Sequence, residues 1–108
     1  MINKTLLAEL ALTQSLLLAL VEDSDNDDYR RQFHPDLSPL GWHLGHCVYV
    51  ECHWLHERLR GDDSVTAPIA SLYMPPTTPK PERGALLPPR PALLAWAREL
   101  QDFNRHYL

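Results

Sequence analysis

Histidine is concentrated in one stretch of this sequence, where its spacing could serve to hold a metal ion. The chain has six histidines, and four of them fall close together: His43, His46, His53 and His56. Imidazole nitrogens and carboxylates are the usual ligands of Zn, Fe, Ni and Cu. On a helix, at about 100° per residue, His43, His46 and His53 share one face with Glu57, and His56 points away. This face predicts either a metal site or a set of half-buried histidines with ordinary hydrogen bonds.

The histidine face can supply only part of a metal site. His43 and His46 lie one turn apart and could converge on one ion, whereas His53 lies about 10 Å beyond His46 along the helix axis. No H-E-x-x-H zinc-protease pattern is present. Cys47 follows His46 but points about 100° away from it, which argues against a Cys–His nucleophile pair. The remaining ligands are therefore expected from another helix.

Caps and apolar periodicity predict the elements that position this face. A first helix runs from Asn3, a potential cap, to about Glu22, where an acidic run at 23–28 competes with the helical backbone. Its main apolar residues recur at helical spacing: Leu6, Leu10, Leu17 and Val21, widened by Leu7, Leu18 and Leu20.

The histidine segment itself is predicted to be the second helix. It begins at Ser38-Pro39, a capping hydroxyl followed by a proline in the first turn, and runs to about Arg60, before Gly61. Gly45 inside this helix lowers its stability by about 1 kcal/mol relative to alanine. A glycine there indicates close packing of a neighbour or a ligand.

Proline dominates the next segment. Residues 64–91 contain all the prolines except Pro35 and Pro39, which excludes a long helix or a central strand and indicates an ordered or semi-rigid connection. A third helix follows, with Trp96, Leu100, Phe103 and Tyr107 on its apolar face. The sequence therefore predicts an all-α fold. It is an incomplete up-and-down bundle of three main helices in a single domain spanning 1–108, with a long Pro-rich connection between the second and third.

Composition narrows the classes of partner. The net charge is -4 and the Lys and Arg residues are scattered, so neither nucleic acid nor an anionic membrane is an expected partner. We find no signal-peptide pattern and no apolar run approaching the roughly 20 residues of a membrane span. Cys47 and Cys52, the only cysteines, point about 140° apart on a helix and are expected to be free thiols. These observations predict a cytoplasmic protein.

The segment from Leu37 to His46, Leu-Ser-Pro-Leu-Gly-Trp-His-Leu-Gly-His, resembles the second helix of DinB-like domains. It is most similar to the N-terminal domain of the non-heme iron sulfoxide synthases of ergothioneine and ovothiol biosynthesis, where a W-x-L-[AG]-H segment follows a Ser-Pro start. Four later pieces resemble that family's long connection: Leu72-Tyr73, Lys80, Arg83-Gly84 and Leu87-Pro88.

The resemblance implies that His46 is a ligand of a catalytic Fe(II), with Trp42 packed beside it. His43 falls at a variable position of the family, and His53 lies too far along the helix to share the ion of His46, so both are weaker candidates. The family's other two ligands lie in an H-x-x-x-H-x-E segment of a fourth helix. That segment and the family's C-terminal catalytic domain do not occur in this sequence. No catalytic residue is assigned, and the chain alone is expected to be inactive.

Three functions follow from these residues. The first is the N-terminal metal-binding part of a non-heme iron sulfoxide synthase-like enzyme, which joins a thiol to a histidine-derived substrate with dioxygen. The second is a non-catalytic helical binding or dimerisation module, in which a homodimer covers exposed apolar surface. The third is a DinB-like metal-dependent thiol transferase. Zn or Ni could replace Fe(II) as the metal.

Overall fold

The computed structural model describes residues 3–25 and 27–108, which form helices and turns and no strand. The elements, in chain order, are α1 (Lys4–Glu22), a 3-10 turn (Asp28–Arg30), α2 (Leu40–Cys52), a π-helical turn that continues it (His53–Arg58), α3 (Ala70–Tyr73), α4 (Lys80–Leu86) and α5 (Arg90–His106). The predicted all-α fold is confirmed. The Pro-rich connection is more regular than expected, because α3 and α4 lie within it.

The three long helices pack together, and α2 contacts every other helix of the described chain as well as the 3-10 turn. The core is built mainly from α2 and α5. Its fully buried side chains include Leu44, Val48, Cys52, Leu93 and Ala97. A cluster of this kind holds α2 rigidly, so the residues on its flanks are presented in fixed positions.

Both predicted ends of α1 are confirmed. The side chain of Asn3 accepts a hydrogen bond from the Leu6 amide at 2.9 Å, and the helix ends at Glu22. Asn26, within the acidic run that follows, lies outside the described residues. The expected apolar stripe is only partly correct: Val21 is buried, but Leu6 and Leu20 are 51% and 56% exposed.

The expectation that no apolar run approaches a membrane span was wrong for α1. This helix of 19 residues is long and apolar enough to cross a membrane by length and composition, and 11% of its most apolar window is buried. Leucine, alanine and valine dominate it, and its interior polar residues, such as Thr13 and Ser15, are mostly uncharged. A core helix and an N-terminal signal sequence satisfy the same criterion.

The start of α2 differs from the prediction in one detail. Pro39 occupies the cap position, and the Ser38 hydroxyl accepts a hydrogen bond from Arg83 instead of capping the helix. The predicted end is confirmed, since Gly61 adopts a φ of +68°, which glycine tolerates without strain. The close packing expected at Gly45 is also confirmed, because a Cβ there would lie 1.9 Å from the Tyr73 ring.

The predicted apolar face of α5 was rotated from the true one. Phe103 and Tyr107 are 36% and 46% exposed, whereas Gln101 and Asn104 are buried with Leu93, Leu94 and Ala97. Aromatic side chains are large enough to flank a core without entering it. The two buried amides were missed because polar residues are normally expected to face solvent.

These buried amides belong to a polar chain that links the three long helices. Asn104 of α5 accepts a hydrogen bond from His56 Nε2 at 2.7 Å and donates one to the Glu51 carboxylate at 3.0 Å. Gln14 of α1 donates to the same carboxylate at 2.8 Å. The side chain of Arg105 in turn donates to Gln14. Every hydrogen bond in such a network is strengthened by its buried surroundings.

Candidate metal centre

A cleft of about 290 Å³ opens between the start of α2 and the segment that carries α4. Its walls contain both histidines of the predicted metal pair and two cationic side chains. They are Asp36, Leu37, Ser38, Trp42, His43, His46, Pro75, Lys80 and Arg83. The sequence-predicted residues His43 and His46 are thus brought together in one cleft.

The imidazole of His46 is held by two contacts. Its Nδ1 lies 2.8 Å from the backbone carbonyl oxygen of Tyr73, and its ring stacks on the Trp42 indole at 4.9 Å with an interplanar angle of 7°. A carbonyl only accepts hydrogen bonds, so Nδ1 carries a proton, and in the neutral imidazole Nε2 then keeps its lone pair. Nε2 forms no hydrogen bond within residues 3–25 and 27–108, so it is not engaged by another described residue.

This geometry predicts an unusual tautomer for His46. Neutral imidazole in water normally protonates Nε2, but the Tyr73 carbonyl favours the Nδ1–H form. We expect the two-bond ¹H–¹⁵N spectrum of the metal-free protein at pH 8 to show His46 with a protonated Nδ1. Solvent-exposed His34, whose Nδ1 accepts a hydrogen bond from the Asp36 amide, should show the opposite form and serves as the internal control. A protonated Nε2 on His46 would contradict the geometry.

The contacts behind His46 keep this orientation. Trp42 donates its indole N–H to the Leu72 carbonyl at 2.7 Å, so the plane on which His46 stacks is fixed. The Tyr73 ring is buried against Gly45, and burial raises the pKa of Tyr73 to about 12. Tyr73 therefore remains neutral, and its carbonyl is held in place by a packed side chain.

His43 lies one turn earlier and is more exposed. Its ring meets the Trp42 indole edge-on at 5.4 Å. Partial burial lowers the pKa of His43 below its ordinary value, and the interactions with His46 and with the positive charges of Arg83 and Lys80 act in the same direction. At a given pH, a larger fraction of the His43 imidazole is therefore neutral than in a free histidine, and the neutral ring can bind a ligand or metal.

The remaining residues of the predicted histidine face do not join the cleft. His53 Nδ1 pairs with the Glu57 carboxylate, and its ring stacks on Tyr49 at 6.0 Å. His56, which was predicted to point away from this face, is 1% exposed and bonded to Asn104. The helical spacing placed His53 and Glu57 on one face correctly, but the side chains bind each other.

The two cysteines behave as expected. Both are free, with Cys52 buried and Cys47 half-buried. Burial raises the pKa of each thiol above its ordinary value, and the Glu51 carboxylate acts in the same direction, whereas the hydrogen bond with Asn104 partly offsets the rise at Cys52. A thiol with a raised pKa is a weak nucleophile, so neither cysteine is a candidate catalytic group.

The described part of the chain does not hold a complete metal site by itself. Among residues 3–25 and 27–108, no group of three His, Cys, Asp or Glu side chains is placed to bind one ion. His46 fits the role of a single ligand, because Nδ1 is anchored and Nε2 is free. His43 is the nearest second imidazole.

Sequence reasoning gave no role to two residues of the cleft, Lys80 and Arg83. Both come from the Pro-rich connection, more than thirty positions after the histidines. Besides the resemblance of Lys80 and Arg83-Gly84 to the family's connection, one local signal was the short pattern Lys80-Pro81, which is typical of a helix start; Pro81 lies in the first turn of α4. Lys80 and Arg83 come close to His43 only through long-range packing, which the spacing of residues along the sequence does not predict.

Fold and site together define a class: an all-helical domain with an anchored histidine in a cleft between its second helix and its long connection. The family model described as the DinB superfamily matches residues 9–108, and the chain belongs to that superfamily. No curated protein and no solved structure matches it. Domains of this superfamily often bind metal.

Proposed function

We propose that this protein is a metal-binding domain in which Nε2 of His46 is a ligand. The observation that carries the proposal is the hydrogen bond from His46 Nδ1 to the Tyr73 carbonyl. Histidines that ligate metals usually donate their other ring N–H to a carbonyl or carboxylate, which fixes the tautomer and makes the ligating nitrogen more basic. Membership of the DinB superfamily supports the same role.

The neighbouring residues would prepare this ligand. Trp42 fixes the plane of the imidazole, and the packed Tyr73 ring fixes the carbonyl that receives its proton. Because residues 3–25 and 27–108 contain no group of three donors placed for one ion, we propose that the site is completed by ligands from outside these ranges or from a second molecule.

The finer assignment that we propose is a non-heme Fe(II) enzyme of the sulfoxide synthase type. It rests on the similarity of the segment from Leu37 to His46 and on the confirmed packing of Trp42 beside His46. When bound, iron would supply dioxygen activation for joining a thiol to a histidine-derived substrate. The part of this chain would be to hold one ligand in a fixed direction and to line one side of the substrate cleft.

A non-catalytic helical module is the second candidate. The observation that favours it is the absence of a three-donor group among residues 3–25 and 27–108. In such a module, the contacts of His46 would serve packing alone. A thiol transferase of the same superfamily would also use His46 as a ligand. The reaction that the protein catalyses, and not this metal site, would distinguish it from a sulfoxide synthase.

Replacing His46 with alanine is expected to weaken metal binding at the cleft strongly. Co(II), which is paramagnetic and accepts imidazole ligands, should broaden the indole N–H signal of Trp42 in wild-type protein. His46→Ala should weaken this effect by at least about tenfold, since removal of even a supporting residue often lowers metal affinity by that amount. The measurement is a titration followed in ¹H–¹⁵N spectra.

His53→Ala is the matched control, because His53 lies on the same helix and has its own carboxylate partner, Glu57. It should leave the Trp42 response unchanged. An equal response in wild type and His46→Ala would contradict the proposal. No response in any of the three proteins would favour the non-catalytic module.

A further inference from the structure

The outer face of α1 carries leucines where a surface helix normally carries charged residues. Leu12, Leu16 and Leu20 occupy every fourth position along this face and are 60%, 58% and 56% exposed. Side chains four residues apart lie one above the other on a helix, so the three form a continuous apolar row. Glu9 is the only charged residue on the same face between Thr5 and Leu20. Contiguous exposed apolar surface of this kind marks an interaction site.

A shallow groove of about 480 Å³ lies along this row and reaches the start of α2. Its lining is apolar apart from one carboxylate and one hydroxyl: Leu16, Ala19, Leu20, Asp23, Ser24 and Leu40. Leu40 is the first residue of α2, so the groove lies between two helices of the bundle. A helix from another molecule could therefore contact α1 and the start of α2 together.

The composition of α1 matches this face to protein better than to a lipid surface. Gln14, on the inner side of the helix, is 1% exposed, donates to Glu51 at 2.8 Å and accepts a hydrogen bond from Arg105. These bonds hold α1 in the bundle and would be lost if it left to span a membrane. Helices that lie on membrane surfaces are rich in Lys and Arg, whereas Lys4 is the only cation of α1.

The charges at the two ends of α1 indicate how a partner is oriented. Lys4 lies in the first turn and Asp23 directly follows the last, and the helix macrodipole favours the opposite charge at each end. Neither side chain forms an ion pair within residues 3–25 and 27–108. A second α1 that runs antiparallel brings a charge of opposite sign, and the opposite end of its dipole, to both of them. The helix is thus complementary to a copy of itself.

We propose that two copies of this chain associate through the outer faces of their α1 helices, packed antiparallel about a twofold axis. A surface that is complementary to itself is what such a symmetric interface requires. A helix of 19 residues is about 28 Å long. Two such faces give an interface near the lower limit of about 1,200 Å² for stable complexes, so the dimer should dissociate on dilution. The inference does not depend on the proposed metal site.

The leucine row also defines the register of the pair. With the axis between Leu12 and Leu16, Leu12 lies against the partner's Leu16. Leu20 then lies against the partner's Ala8, so that a large side chain packs over a small one. The same register brings the ends of the two helices together, where the charges of opposite sign meet.

The test is sedimentation equilibrium of the complete 108-residue chain at concentrations below and above the micromolar range. The wild type should show a reversible equilibrium between monomer and dimer. Leu16→Glu should raise the dissociation constant at least about hundredfold, because two unpaired carboxylates would be buried in apolar contact. Since Leu16 is exposed in the single chain, the variant should keep the helical circular dichroism of the wild type.

Leu59→Glu is the matched control, because Leu59 is 74% exposed directly after the π-helical turn, away from α1. It should associate like the wild type. A wild type that stays monomeric, or equal dissociation constants for wild type and Leu16→Glu, would overturn the proposal. A monomer that binds phosphatidylcholine vesicles, and loses this binding in Leu16→Glu, would overturn it in favour of a lipid surface.

Charge reversal tests the antiparallel arrangement. Lys4→Glu and Asp23→Lys should each weaken association severalfold, because an exposed attraction becomes a repulsion at both ends of the pair. The double variant should recover the wild-type dissociation constant, since the two charges are exchanged. In a parallel pair Lys4 would lie beside the partner's Lys4, and exchange would restore nothing. Failure of the double variant to recover would overturn the antiparallel arrangement.

Discussion

Gly84→Ala is expected to destabilise the protein by more than about 3 kcal/mol, at or above the upper end of ordinary overpacking. A Cβ at this position would lie 2.0 Å from the backbone oxygen of Arg30 and 3.4 Å from Cγ of Pro39. Backbone atoms cannot rotate away as a flexible side chain does. The 3-10 turn and α4 would have to separate, and α4 carries both Lys80 and Arg83.

Gly61→Ala provides the control for this change. It is the same substitution at a site where nothing lies within 4 Å of the new Cβ, but where φ is +68°. Because alanine is strained in left-handed backbone, this variant should have a free energy of unfolding about 1 to 2 kcal/mol lower than wild type. Urea unfolding of the three proteins measures the difference. Equal losses in the two variants would show that α4 does not approach Arg30 this closely in solution.

Asn104→Leu is the second change expected to have a large effect, with a loss of about 2 to 4 kcal/mol. Asn104 is 0% exposed and is the hydrogen-bond partner of His56 and Glu51. Leucine is similar in size but leaves the His56 N–H buried without an acceptor. An unpaired buried donor is more harmful than the loss of an average hydrogen bond, since its hydration is not replaced.

A double-mutant cycle separates this effect from simple packing. His56→Leu removes the other member of the pair, so the double variant should lose clearly less than the sum of the two single variants. Glu99→Leu, at an exposed position of α5, should change the free energy of unfolding by no more than about 0.5 kcal/mol. Strictly additive losses at His56 and Asn104 would argue against the buried bond.

The long helices were predictable because their signals are local. The Asn3 cap and Gly61 act through the adjacent backbone, and the structure confirms both of them. The buried face of α5 was not predictable in the same way. Aromatic size suggested Phe103, whereas the core selected Asn104, because an amide there can reach partners on α2.

The same distinction between local signals and long-range packing applies to the residues of the candidate site. His43 and His46 follow from spacing within one helix, and the resemblance selected His46, which stays a prediction until metal binding is measured. Arg83 and Lys80 reach the cleft only through the folding of the connection against α2. Their partners are backbone carbonyls and a hydroxyl, and no pattern of residue types announces such contacts.

The π-helical turn at His53–Arg58 has a consequence for comparing this chain with its relatives. A turn closed by i→i+5 bonds holds one residue more than an ordinary helical turn, and such turns are rare. A relative whose second helix is regular throughout would keep step with this chain up to Cys52 and fall one residue out of step after Arg58. Correct alignment of the two sequences would then need a single-residue gap inside a helix, a place where gaps are normally penalised.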